Sequence, residues 1–221
     1  MWAIALSHSK TFELFQKTHD FSSHFESLST GTGVKICKAR EAKVASEQRP
    51  HVFLADGPSE QMKNAISWVY KNLHPQALIG MDLCDDWRTA SINQGDLPFF
   101  VPTLCLRSAG RIDLGGGPIL FEEIPFDPWI QIALSKQILQ RTFELDAKSK
   151  IFGSDRLIQK SAEKTWLSEQ LACQSYDTLS SELLLAGKRL SIKIGCLKVY
   201  QEKPDALATL IDSLERLRVP V

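Results

Sequence analysis

The sequence predicts an α/β fold: a three-layer, single-domain chain around a central mixed, mainly parallel sheet. Three observations carry that expectation. Short apolar runs alternate along the chain with stretches of helical period, the pattern of strands joined through helices. One strand, helix and strand follow one another within about 30 residues, the crossover that parallel pairing requires. The length of 221 residues fits one domain over 1–221 and is enough to bury a sizeable core.

The elements follow in order. Residues 3–6 read as a short buried strand, and 27–40, with Gly31 and Gly33 marking a turn, as a hairpin or edge region. The apolar run 51–55 stops at Asp56-Gly57-Pro58-Ser59. Met62, Ala65, Ile66, Val69, Tyr70 and Leu73 then recur at three- and four-residue spacing, predicting a helix with Ser59 as N-cap and Pro75 as its stop. Residues 76–80 form the next strand. The stretch 97–124 is strand-rich, with turn signals at Ala109-Gly110 and Gly115-Gly116-Gly117-Pro118. A helix over 128–143 counts Ile132, Leu139 and Phe143 among its apolar positions. After it come a strand at 150–152, helices at 162–169 and 178–190, and a strand at 194–200. A last helix begins at Pro204, a residue suited to the first turn, with a stripe of Leu207, Leu210, Ile211, Leu214 and Leu217.

Composition narrows the function classes. Lys plus Arg and Asp plus Glu both total 26, so the net charge is zero, which removes the usual footprint of a nucleic-acid binder. The first residues carry no basic n-region, and no apolar stretch approaches the roughly 20 residues of a spanning helix. A cytoplasmic protein without membrane contact is expected. The five cysteines are scattered and form no Cys-x-x-Cys pair, as buried free thiols in a reducing compartment would be. All five histidines lie in the first third, none at ligand spacing. No metal site and no cofactor are expected. The Gly115 to Gly117 run fits neither the P-loop nor the dinucleotide fingerprint and reads as a hairpin loop.

Several segments can carry chemistry. Asp56-Gly57-Pro58-Ser59 joins a strand to a helix start, where open α/β sheets bind ligands; it also serves as a plain turn with an N-cap. Asp82, Asp85 and Asp86 follow the strand that ends at Gly80, as a solvated loop or a cation site. Asp177, Glu182 and Glu202 stand near the ends of buried elements. A carboxyl at Glu202, raised in pKa by burial, can protonate a leaving group. Equally, Glu202 is the polar residue after a strand, or a cap for the helix begun at Pro204.

Taken together, these segments resemble the nucleoside phosphorylase superfamily, and within it the hydrolase branch that includes methylthioadenosine/S-adenosylhomocysteine nucleosidase and futalosine hydrolase. The first strand followed by Glu13 resembles the family's first strand and its water-activating glutamate. Residues 52–59, including Asp56 and Gly57, resemble a strand and Ser-Gly-x-Gly turn, and 76–96, ending in Gly95-Asp96, resembles a strand, glycine-rich turn and Gly-Asp block. Phe152-Gly153-Ser154-Asp155-Arg156-Leu157 resembles the Ser-Gly-Asp-x-Phe segment that contacts the purine. Tyr176-Asp177-Thr178-Leu179 falls where the family has Glu-Met-Glu, and the stretch ending in Glu202 where a strand ends in Ser-Asp. The spacings from Gly153 to Leu179 and on to Glu202 fit without a gap.

The departures are as informative. Arg156 replaces the aromatic purine contact, Thr178 the methionine and Leu179 the glutamate that holds the ribose hydroxyls. Glu182, one helical turn on, shares a face with Leu179 and is a substitute carboxylate. The glycine-rich turn becomes Met81-Asp82-Leu83-Cys84-Asp85. What the resemblance implies is a homodimeric nucleosidase that cleaves the N-glycosidic bond of a purine-type nucleoside. Glu202 would act as acid and Glu13 as base, on futalosine or aminodeoxyfutalosine in menaquinone biosynthesis rather than methylthioadenosine. The alternative is a degenerate, non-catalytic member of the fold that binds or assembles. A phosphorylase using Arg107 or Arg111 on phosphate is a third reading.

Overall fold

The structure, a computed structural model, describes residues 2–6, 12–13, 16–17, 21–40, 52–55, 59–84, 87, 99–111, 119–139, 149–154, 158, 160–200 and 205–216. The elements run β1 (Trp2–Leu6), α1 (Phe21–His24), β2 (Phe25–Leu28), β3 (Lys35–Ala39), β4 (Val52–Ala55), α2 (Ser59–Leu73) and β5 (Ala77–Cys84). They continue with β6 (Phe99–Phe100), β7 (Leu104–Arg111), β8 (Ile119–Pro125), α3 (Pro128–Leu139), β9 (Lys150–Gly153) and α4 (Ser161–Leu171). β10 (Cys173–Asp177), α5 (Ser180–Leu190), β11 (Lys193–Tyr200) and α6 (Ala206–Arg216) complete the order.

Seven strands form the main sheet in the order β2-β3-β4-β1-β5-β11-β6, and four form a second sheet, β10-β9-β7-β8. The inner strands β4, β1, β5 and β11 are mutually parallel, so their carboxyl ends share one edge. The expected crossover is present: β4, α2 and β5 form the unit, and it passes over β1, which lies between its two strands. The β2–β3 hairpin pairs antiparallel through a turn in which Gly31 and Gly33 take φ of 66° and 77°, a region open to glycine at no steric cost.

Strand alternation divides the core. On one face of the main sheet, Trp2, Ile4, Leu6, Ile79, Met81, Leu197 and Val199 pack with Ile130 and Leu134 of α3 and Ala206 and Leu210 of α6. On the other, Ala3, Ala5, Leu78 and Ile194 pack with Met62, Ala65, Ile66 and Val69 of α2 and Leu183, Leu184 and Ala186 of α5. The second sheet joins this side through Cys105 and Ile151. Its far face, with Leu106 and Phe152, is covered by Leu167 of α4. α5 therefore runs between the two sheets. Its approach to β5 is close: a methyl on Gly80 would sit 2.7 Å from Leu183 Cδ1.

Two sequence expectations are corrected, and two details are added. β5 does not stop at Gly80 but continues to Cys84, so Asp82 is a buried strand residue and not part of a solvated loop. Ala109-Gly110 is no turn: β7 runs through it, with a bulge between Ser108 and Gly110 that keeps the pairing with β8. α3 buries Ile130, Gln131, Leu134 and Ser135, whereas Ile132 is only half-buried. Gln131 is buried because its amide is used: Oε1 accepts from Cys196 N at 2.9 Å, and Nε2 donates to Cys196 O at 3.1 Å and to Pro102 O. β10 had no counterpart in the sequence reading, since Cys-Gln-Ser-Tyr-Asp has no apolar run to announce it.

Candidate functional site

The carboxyl ends of β5, β10 and β11 converge, and the residues that meet there are polar and buried. Asp82 and Lys198 are register partners on adjacent parallel strands, and so share a face. Lys198 is 0% exposed. Its Nζ stands 2.5 Å from Asp177 Oδ2, at the end of β10, in a charge contact rather than a well-directed hydrogen bond. Burial pulls the Lys198 pKa down, but the negative charge of Asp177, with Asp82 behind it, more than offsets this and holds it above the usual lysine range. The side chain is a permanent cation, not a base.

Asp177 is committed on every side. Its Oδ1 accepts from Ser180 N at 2.9 Å and its Oδ2 from Ser180 Oγ at 2.6 Å, so it satisfies an orphan amide at the start of α5. Its carbonyl accepts from Ser154 N at 2.9 Å, joining the exit of β9 to that of β10. Gly153 permits this closeness, because a methyl there would meet Ser181 Cβ at 2.6 Å and Cys105 Sγ at 2.8 Å. Cys196 Sγ lies 3.5 Å from Ser180 Oγ. Burial pushes its thiol up to about 12, against the pull of Lys198, so it is protonated and inert at neutral pH. All five cysteines are buried and free, as expected from their spacing.

The structure brings some of the expected site residues together and not others. Ser154, Asp177, Thr178 and Leu179 lie at the ends of the adjacent strands β9 and β10. Leu179, however, belongs to the core, buried to 4% exposure beside Leu183 under Gly80. Glu182 turns to α2, where it pairs with Lys63 Nζ at 3.2 Å. Glu13 is exposed, next to the buried Phe12. Arg107 faces its register partner Glu122 across the β7–β8 pair at 3.7 Å. Asp56, Gly57, Asp155, Arg156, Leu157 and Glu202, with Asp85, Asp86 and the Gly115 to Gly117 run, lie outside the described residues.

Two features escaped the sequence reading. Lys198 sits in the apolar part of β11, and a lysine among Cys, Leu, Val and Tyr was the available signal. The other is an aromatic pair: Trp87 stacks on Tyr176 with centroids 5.0 Å apart and 20° between planes, and Lys164 lies 5.7 Å over the Tyr176 ring. Trp87 N donates to Gln174 O at 3.0 Å, which ties the chain beyond β5 to β10. A cleft of about 260 Å³ opens beside it, lined by Trp87, Lys164, Thr165, Ser168 and Glu169. Among the described residues no group of His, Cys, Asp and Glu has metal-binding geometry, and no helix is long and apolar enough to cross a membrane.

No protein-family model and no curated protein matches the sequence. Solved structures do match the fold. A mutant futalosine hydrolase of Helicobacter pylori strain 26695 superposes with a TM-score of 0.69 at 12% identity, over 97% of this chain and 93% of its own. The 5'-methylthioadenosine/S-adenosyl homocysteine nucleosidase of Campylobacter jejuni gives 0.69 at 15% identity over the same shares, 97% and 93%. That of Neisseria meningitidis, in complex with methylthio-immucillin-A, gives 0.63 at 12% identity over 98% and 92%. The superpositions run along nearly the whole of each chain: this chain, α/β with mutually parallel inner strands, has the fold of these solved nucleosidases at low sequence identity.

Proposed function

We propose that the chain hydrolyses the N-glycosidic bond of a purine-type nucleoside, Glu202 protonating the departing base and Glu13 activating water. The observation that carries this reading is the fold, shared along 97% of the chain with a protein named as a futalosine hydrolase. In sequence Glu202 comes two residues after β11 ends at Tyr200, and α/β folds hold ligands at the carboxyl ends of their strands. Both roles are general acid–base catalysis, worth typically about 10²- to 10⁴-fold each.

Two observations shape the substrate. Leu179 offers no hydrogen bond and is packed in the core, and Asp177 is already paired with Ser180 and Lys198. A ribose whose hydroxyls need a free carboxylate finds none at these two positions. That weighs on any ribonucleoside alike, so futalosine and aminodeoxyfutalosine are the first substrates to try by analogy with the futalosine hydrolase of the same fold, in a homodimeric, cytoplasmic enzyme. The same observations favour the second reading, a non-catalytic member of the fold that binds or assembles.

Base release decides between them. The purified protein is incubated with futalosine, aminodeoxyfutalosine and methylthioadenosine, each with and without phosphate. Release without phosphate is expected from a futalosine-type substrate, and Glu202→Gln should lower turnover about 10²-fold or more. No release from any of the three would end the enzymatic reading, and release that needs phosphate would turn it to a phosphorylase.

A further inference from the structure

We propose that Lys198 is a positioning residue: through its ion pair with Asp177 it fixes the start of α5 and the turn at 178–179 against the end of β11. What it positions rests on the nucleosidase reading; that it positions anything does not. On this face β11 presents Ile194, Cys196, Lys198 and Tyr200 in alternation, and all are buried. An apolar side chain of similar size would fill the Lys198 position without the desolvation that a buried ammonium suffers. The charge therefore does something that packing does not.

The geometry points to what that is. Asp177 receives both polar hydrogens of Ser180 on its carboxylate and the amide of Ser154 on its carbonyl. One residue thus gathers the exits of β9 and β10 and the first turn of α5. Lys198, 2.5 Å away, joins that assembly to β11 in the other sheet by charge, beside the weaker 3.5 Å contact of Ser180 Oγ with Cys196 Sγ. Thr178 and Leu179 follow directly on Asp177, and by resemblance they are the sugar-side positions. An ion pair between the two sheets holds that turn in register with the end of β11. Loss of such a register costs rate more than affinity, since a misplacement near 1 Å can cost about 10²-fold in turnover.

The test compares the full-length protein with Lys198→Met, Lys198→Arg and the charge-free pair Asp177→Asn/Lys198→Met, by amide hydrogen exchange and, where the wild type releases base, by kinetics. Lys198→Met should speed exchange at Ser154 and Ser180 about tenfold or more while β1 and β5 stay protected, and lower kcat about tenfold or more with KM little changed. Lys198→Arg should restore both. Should Lys198→Met fail to fold, the charge-free pair, which strands no buried charge, is expected to fold and to show the same acceleration. Unchanged exchange at Ser154 and Ser180 in the folded variants overturns the proposal, as does Lys198→Arg behaving like Lys198→Met. A wild type that releases no base sinks the nucleosidase reading alone, because the exchange rates still judge the lock.

Discussion

The two faces of the main sheet are built from alternate residues of the same strands, yet they differ in kind. Toward α3 and α6, β5 and β11 offer Ile79, Met81, Leu197 and Val199, a wholly apolar surface. Toward α5 and the second sheet they offer Asp82, Cys84, Cys196 and Lys198. The apolar face is held by burial, worth about 1.5–3 kcal/mol for each large side chain, and tolerates any well-fitting hydrophobe. The charged face gains little net stability from its ion pair, because desolvation offsets attraction. It gains a defined register between two sheets. The polar residues gather at the carboxyl ends of the strands, the edge at which open α/β sheets bind ligands.

Removing one charge breaks the comparison most severely. Lys198→Met leaves Asp177 buried without its counter-ion and should cost about 3–5 kcal/mol in urea unfolding. Leu197→Ala, its neighbour on the apolar face, should cost about 2–5 kcal/mol by leaving a cavity. The two differ in what repairs them: Asp177→Asn added to Lys198→Met should recover much of the loss, and nothing at Asp177 should help Leu197→Ala. The pH profile sharpens this. The Lys198 pKa is raised above its unfolded value, so its stabilisation is complete below the ordinary lysine value of about 10.5 and lost only as pH climbs through the higher folded value. The penalty of Lys198→Met should then be flat between about pH 6 and pH 9. A penalty that fell steadily across that window would show that the pair titrates there.

A smaller effect tests the packing beneath the charged layer. Gly80→Ala puts a methyl 2.7 Å from Leu183 Cδ1, which should force α5 outward at a cost of about 1–3 kcal/mol. The smallest belongs to the α2–α5 pair. Lys63 is 42% exposed and Glu182 12%, so Glu182→Gln should cost no more than about 1 kcal/mol. A larger loss, or any loss of base release with stability intact, would return Glu182 to the site.

Much of the fold was legible because it is written in local periodicities. The 3.6-residue stripe of α2 and the apolar runs of β1, β4 and β11 are signals of single elements, and the structure has those elements. The extension of β5 to Cys84 was hidden by Asp82, whose carboxylate reads as loop in sequence and is buried in the strand across from Lys198. β10 was hidden because an edge strand covered by a helix and by the Trp87 segment needs no apolar run. Of the candidate site, the interval from Gly153 to Leu179 falls on the ends of β9 and β10, where Ser154 and Asp177 are joined by a hydrogen bond.

By itself, then, the sequence determined the class of fold and most of the order of its elements, since these depend on contacts between near neighbours in the chain. Only the tertiary structure decided which of the candidate site residues are available. Leu179 is spent on the core, Glu182 on Lys63, and Asp177 on Ser180 and Lys198. The reason is physical: a side chain's chemistry is set by what desolvates and pairs it, and Lys198 reaches Asp177 from another strand in another sheet.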